Sequence, residues 1–455
     1  MNQKMKGSLL IFAAIAVMLS GCSKGAETNT NPSPADSKKE NALSTADKSG
    51  IVHPKEPVEL YFYSNTSSFA EKDVRDRWWN YMNSKYPNFV LKFVPKVPGG
   101  LPELLAAGQP IDIMFTSIGG VNSNLIQNGL QYDLTELAKK HGVDLNRFEP
   151  ETLDMIKNVG GLYGLPVSNA RLILFYNKDI FDKFGAPYPK DDMTWDDMLA
   201  LSKRVTRLEN GVQYFGFTAY IQHQMKMNPL SLNIVDSKTG RAAINTDKWK
   251  MIIQKVLLDP IMQNEVYKQA VISANDVFSH NDNFGVKRNV AMYAMDSNAP
   301  IGWDTNPATS NFNWDIVKMP TFKENPDAGP QPYPNYLYIT NISKKKDEAM
   351  QVLKFIASDE MQTLESKKGY FSAIKSPEVQ KVFASEATSF KGKNLNAVIN
   401  TKPSKPMTIT PSDDLVIKAI ENRLFDYVKG QLDLNSLLRI AEEEANKEIE
   451  KASKK

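Results

Sequence analysis

The chain has 455 residues, 42% hydrophobic and 24% charged, an ordinary globular composition with length for two or three domains of about 100–200 residues each. Its 55 basic and 52 acidic residues become 53 and 52 once residues 1–21, which hold Lys4 and Lys6, are set aside. So neutral a balance excludes the concentrated basic surface that nucleic acid requires, and a single cysteine excludes both an intramolecular disulfide and a cysteine-built metal cluster.

In chain order, Lys4 and Lys6 precede an apolar run from Leu9 to Leu19, followed by Leu19-Ser20-Gly21-Cys22. A short apolar run behind a positive start and before small residues predicts an export signal over 1–21 rather than a membrane span, which needs about 20 apolar residues. The lone Cys22 at its end resembles the lipidation site of bacterial lipoproteins, which implies a lipid-anchored chain on the outer face of the cell membrane, with no other membrane contact. Residues 22–55 are polar and nearly free of large apolar side chains, and predict a flexible tether whose ends lie about 30 Å apart.

The folded part opens with a β-branched and aromatic run, Val58 to Ser64, that predicts a strand. Val74, Trp78 and Met82 then recur at helical spacing, and Pro87 ends that helix. Strands follow at Phe89 to Pro95 and Ile111 to Thr116, with a short helix around Pro102 to Ala107 between them. Strand alternating with helix predicts a parallel sheet with helices on its faces. The pattern continues with a strand from Arg171 to Asn177 and a helix opening at Thr194, where Asp197 completes a capping box. Further helices run from Asp347 to Ala357, with Ala349, Val352, Leu353 and Ile356 on one face, and through Leu437, Leu438, Ala441 and Ala445 near the end.

Enzyme signatures are scarce. The one G-x-S-x-G pattern, Gly21 to Gly25, straddles the expected cleavage site and lacks the strand and helix that a nucleophile elbow needs. His53, His141, His223 and His280 are nowhere paired at metal-ligand spacing. The acid pairs Asp191-Asp192 and Asp196-Asp197 flank a helix start, where the helix dipole favours carboxylates. Lys344-Lys345-Lys346 reads as a solvated helix start. The chain is rich instead in aromatics, with 17 Tyr, 21 Phe and 6 Trp, which suit the apolar faces of sugars when polar groups converge beside them.

Residues 161–206 carry Tyr163-Gly164-Leu165-Pro166, Tyr176-Asn177-Lys178-Asp179, Phe181-Asp182-Lys183-Phe184-Gly185 and Thr194-Trp195-Asp196-Asp197. In that order they resemble the central signature of the family 1 extracellular solute-binding proteins. Residues 111–115, 289–297 and 341–362 look like further family segments, and the resemblance covers nearly all of 56–450. It implies an α/β, periplasmic-binding-protein-like fold, two α/β lobes joined by a multi-crossover hinge. The first lobe would take 56–168 and 299–342, the second 169–298 and 343–450, leaving 451–455 as a tail.

By the same resemblance, Tyr63, Ser64, Asn65, Ser117, Gly119, Gly120, Ser168, Asn169, Arg171 and Asp296 are ligand-binding positions, and Trp303, Tyr336, Tyr370 and Phe371 supply stacking faces. Arg171 reads equally as a ligand fork or a hinge ion pair. Ser117-Ile118 and Tyr293-Ala294-Met295 stand where sugar binders of the family often carry Trp, which leaves the substrate open. The implied function is capture of a solute, a sugar or oligosaccharide, and its delivery as a monomer to the permease subunits of an ABC importer, without catalysis and without a cofactor. The alternatives are a secreted lipoprotein enzyme acting on polysaccharide and a sensor-only binding protein.

Overall fold

The alternation of apolar runs and helical periods produces ten strands in two five-stranded sheets. The computed structural model describes residues 50–66, 69–277, 282–303 and 306–454. The expected signal, Cys22, most of the tether, His280 and Lys455 lie outside the described residues. The described residues form one compact unit.

The strands are β1 (Val58–Ser64), β2 (Phe89–Val94), β3 (Ile113–Ser117), β4 (Gly164–Ala170), β5 (Leu172–Asn177), β6 (Arg207–Glu209), β7 (Val212–Ala219), β8 (Val290–Asp296), β9 (Trp314–Lys318) and β10 (Tyr333–Ile339). The first sheet has the order β2-β1-β3-β10-β4 and the second β6-β7-β8-β5-β9. Helices cover both, as alternation requires. The fold is therefore α/β, but the sheets are mixed rather than parallel. β1 pairs in parallel with β2 and β3, and β7 with β8, whereas β10 is antiparallel to β3 and β4, and β5 to β8 and β9. The antiparallel strands arrive from the other sheet instead of through a helical crossover within their own, so nothing turns them round.

Pro166 sits inside β4, which is tolerated because β4 is an edge strand and its register slips between Asn335 and Tyr336, beside the proline's own pairing with Tyr336. The first predicted helix runs through Glu71–Lys85 with a wider turn at Arg75–Trp79, burying Val74, Trp78 and Met82. The capping box forms as expected: the Asp197 carboxylate accepts from the Thr194 backbone N–H at 2.9 Å, and the Thr194 hydroxyl accepts from the Asp197 N–H at 3.3 Å. Of the acid pairs, Asp191 accepts from the Lys318 N–H and from Asn394, and Asp196 pairs with Lys255 and Lys323, which holds its carboxyl below the ordinary range.

The chain crosses between sheets at different places from those the motifs suggested. The first crossing is at Arg171, close to the expected one. β9 belongs to the second sheet, so residues 299–318 do not join the first lobe; the return lies between Lys318 and Tyr333. Helices Lys346–Ile356 and Asp359–Lys367 pack on the first sheet's side, not the second's: Phe355 stacks on Tyr81, Asp359 pairs with Arg147, and Glu365 pairs with Arg77. A third crossing follows Glu386, whose N–H still donates to the Lys367 carbonyl; beyond it Phe390 packs on Trp314 and Asn394 N donates to Asp315. The error arose because a motif fixes a strand's existence and leaves its sheet undetermined.

The Arg77–Glu365 pair is buried, and Tyr370 lies 3.6 Å beneath the guanidinium carbon. Burial pushes the Glu365 carboxyl up, and Arg77 opposes that. Breaking a buried pair from one side leaves an uncompensated charge. Glu365→Ala is therefore expected to destabilise the protein by about 3–5 kcal/mol, read as a lower urea midpoint.

Candidate functional site

Strand direction brings one end of each sheet to the same place. β1, β3 and β4 all terminate at one edge of the first sheet, where β10 begins; Asn335 pairs with both Ser117 and Ser168 there. In the second sheet β7 and β8 end where β5 starts, with Leu172 opposite Asp296. Carboxyl ends of strands are where ligands of open α/β sheets bind. Backbone bonds fasten the residues on either side of the junction: Ser297 N donates to Arg171 O at 2.7 Å, beside the β5–β8 pairing, and Asn169 N of β4 donates to Phe371 O at 2.8 Å.

The residues carried over by resemblance divide into two groups. Ser117, Gly119, Asn65, Asn169 and Asp296 stand at the strand ends. Ser117 lies 3.4 Å from the Tyr333 hydroxyl, Asn65 donates to Asn124 at 2.7 Å, and a Cβ on Gly119 would fall 1.9 Å from the Tyr333 hydroxyl oxygen, so only glycine fits. Gly120 is equally confined, by Thr116. Tyr370 is half-buried beside Arg77.

Other expected contacts are packed away from any ligand. Tyr63, Ser64 and Ser168 are fully buried, with Ser64 accepting from Thr66 N and Ser168 from Asn335. Tyr336 is also fully buried and donates to the Thr152 carbonyl at 2.5 Å. Trp303 packs among Phe175, Phe284, Phe312 and Trp314, and Phe371 against Phe383, both in the aromatic core behind the second sheet. These rings fill core, which offers an aromatic side chain the same apolar contact that a sugar face would.

Several site groups were missed. Tyr220, His223 and Lys226 follow the end of β7, a strand that the sequence reading passed over; Asn298 follows β8, and Tyr333 opens β10. The His223 ring lies between Tyr220, at 5.3 Å, and Tyr333, at 5.5 Å. The signal available was positional: the aromatic-rich run Val212–Ala219 has strand character, and the residues after it fall at a carboxyl end.

Several of the molecule's buried polar atoms without a partner fall together in this region. Buried polar atoms usually find partners, yet Asn169 Oδ1, Arg171 Nε and Nη1, His223 Nδ1 and Asn298 Oδ1 have none. Arg171, 6% exposed, lies 5.0 Å above the Phe371 ring. Burial lowers its pKa to about 10, with Glu149 and Glu151 opposing through space. Burial likewise lowers the His223 pKa, Asp296 opposing and Lys226 reinforcing. A neutral imidazole, a guanidinium and two amide oxygens form a donor and acceptor set for hydroxyl-bearing solutes.

A cavity of about 690 Å³ opens at the far end of the first sheet, lined by Tyr61, Leu105, Asp112, Leu130 and Lys345 among others. It holds no such orphaned atoms: Asp112 accepts from Tyr61 N and from the Ser343 hydroxyl. Among the described residues, no group of three His, Cys, Asp or Glu is placed to hold a metal, and no helix is long and apolar enough to cross a membrane.

The family model for bacterial extracellular solute-binding proteins matches residues 63–363. An uncharacterised ABC transporter extracellular-binding protein of Pyrococcus horikoshii is 27% identical over 226 residues, 47% of this chain and 46% of its own. An sn-glycerol-3-phosphate-binding periplasmic protein of Agrobacterium fabrum is 25% identical over 185 residues, 35% of this chain and 41% of its own. The matches thus span less than half of each of these relatives. Among solved structures, an ABC substrate-binding protein of Listeria monocytogenes in complex with cycloalternan aligns with a TM-score of 0.67 at 16% identity, covering 87% of this chain and all of that one. A solute-binding protein of Thermotoga lettingae bound with α-D-tagatose aligns at 0.62, with 16% identity and the same coverages. The fold is shared with both.

Beneath the site, Asp413 is buried and its pKa is raised to about 6, chiefly by desolvation, against the bonds it accepts from Thr410 and the charge of Lys226. A folded pKa above the unfolded value near 3.8 means that the wild-type fold loses stability as pH rises from about 4 to about 6, and the cost persists above that. Asp413→Asn is expected to gain up to about 3 kcal/mol above pH 6, for a shift of about two units at about 1.4 kcal/mol each, and nothing below pH 4. Urea titrations at pH 4 and pH 7.5 check the sign.

Proposed function

The chain belongs to the bacterial extracellular solute-binding proteins, and we propose that it captures a sugar or polyol in the cleft between its two sheet edges and delivers it to the permease subunits of an ABC importer, catalysing nothing. The observation that carries the reading is the set of orphaned buried atoms on Asn169, Arg171, His223 and Asn298, gathered where the strands of both sheets end. A hydroxyl-rich solute supplies the missing partners, and the half-buried ring of Tyr370 together with Tyr220 and Tyr333 offers apolar faces. The carbohydrate class is supported by the solved relatives, whose ligands are cycloalternan and tagatose.

Closure on the solute is a hinge motion about the three crossings. Rotation at the crossings moves one edge against the other while both sheets stay intact. The Leu-Ser-Gly-Cys22 sequence supports lipid anchoring on the outer face of the membrane, with the polar stretch behind it as tether. A one-to-one hand-over to the permease suits a monomer.

The test is a thermal-shift screen of residues 42–455 against neutral mono- and oligosaccharides, polyols, uronates, sugar phosphates, glycerol 3-phosphate and peptides. A solute at a hundred times its dissociation constant adds about 2.7 kcal/mol, and the shift is expected with one sugar or polyol class. His223→Ala is expected to weaken that binding at least tenfold in titration calorimetry. A shift with peptides alone would overturn the carbohydrate assignment, and a tight ligand producing no compaction in small-angle scattering would overturn capture by closure.

A further inference from the structure

One buried cation beside the proposed cleft, Lys226, is bonded to protein acceptors on both of its sides. Lys226 ends the helix Ile221–Lys226, which follows β7 of the second sheet, and it is only 5% exposed. Its ammonium donates to the Gly119 carbonyl at 3.2 Å and to the Asp414 carboxylate at 2.7 Å. Gly119 lies in the turn Ile118–Gly120 after β3 of the first sheet, and Asp414 in the helix Asp413–Val428, which packs on the helix bearing Lys226. One side chain thus touches both sides of the cleft.

We infer that Lys226 is a positioning residue for solute capture, an interlobe tie that holds the Gly119 turn of the first lobe against the second before any solute arrives. The inference rests on the cleft reading above. A buried ammonium is costly unless its protons are matched by acceptors, and Gly119 O is one of the two acceptors it has. Swinging the edges apart removes that acceptor and leaves the cation with Asp414 alone, so the bond resists opening.

The geometry on the first-lobe side makes the tie stiff. The turn is gripped from its other face by Tyr333, whose hydroxyl leaves no room for a side chain at Gly119 and reaches to 3.4 Å from Ser117. The carbonyl therefore cannot follow Lys226 outward without shifting the strand end that bears Ser117. Charge supports the arrangement as well: burial disfavours the protonated lysine, but the Tyr333 hydroxyl and the carboxylates of Asp414 and Asp413 outweigh it, leaving the pKa above the ordinary lysine value. The ammonium is therefore a permanent charge at neutral pH.

The tie is tested without solute, so that its failure and that of the capture reading stay separate. Cys22 is the only cysteine and precedes residue 42, so spin labels at Gln127→Cys and Lys238→Cys, both exposed, report the interlobe distance in the fragment 42–455 by pulsed electron resonance. With Lys226 intact one narrow distance is expected. Lys226→Met is expected to shift the distribution to longer distances or to add a longer population, while the thermal transition stays cooperative. An unchanged distribution in a folded Lys226→Met variant overturns the inference. If that variant does not fold, Asp414→Ala decides: its carboxylate is half-exposed, its loss frees the ammonium on the second-lobe side, and broadening is expected, whereas a wild-type distribution overturns the tie. A protein that binds no sugar in the thermal screen yet opens in Lys226→Met loses the capture reading and keeps the tie.

Discussion

Residues 164–177 form a single extended run whose first seven residues give β4 to one sheet and whose last six give β5 to the other, with Arg171 alone between them. Every residue of the run is buried, so no slack separates the sheets at this point. Because β4 ends where β5 begins, the polar end of one sheet is obliged to face the polar end of the other. The junction is then fastened by backbone pairing, Arg171 with Ser297 and Asn169 with Phe371. The facing edges, the orphaned polar atoms between them and the hinge all follow from this one-residue junction.

Residue type alone does not identify the cleft. Asp191, Asp196 and Asp197 would suit acid and base chemistry by composition, yet each is consumed by a backbone amide, an asparagine or a lysine. Arg77 and Glu365 neutralise one another inside the first lobe. Orphaned atoms occur elsewhere too, on Arg77 Nη2 and Glu365 Oε1 among others; those of Asn169, His223 and Asn298 differ in standing together where the strands of both sheets end.

Local structure was legible where a residue's own pattern sets the outcome. The runs at Val58, Phe89 and Ile113, the Thr194–Asp197 cap and the apolar face of Leu437, Leu438, Ala441 and Ala445 form as their periods dictate. What could not be read was direction and allegiance. Alternation reports that a strand is buried and says nothing of whether its neighbour runs alongside or against it, so β10 and β5 reversed the expected parallel order. Aromatic rings were misread for a related reason: Tyr336 and Phe371 were carried over as stacking faces, but their side chains are buried in core, and sequence position cannot tell which face looks on a cleft. Lys226 was invisible because its partners, Gly119 and Asp414, lie 107 and 188 residues away.

The place of β10 in the first sheet has a bearing on how the chain acquires its shape. That strand lies between β3 and β4 and pairs with both, although it comes from residues 333–339, after all five strands of the second sheet. The second lobe in turn is completed from the carboxyl end, where Asn446 accepts from the backbone of Ala242. A chain emerging N-terminus first therefore has no finished lobe at any intermediate length, and each half waits for sequence that belongs to the other. Long-range pairing of this kind is slow to form and leaves strand edges uncovered while it proceeds. Delayed completion is also compatible with passage through a translocation channel, which admits only chains that have not yet folded.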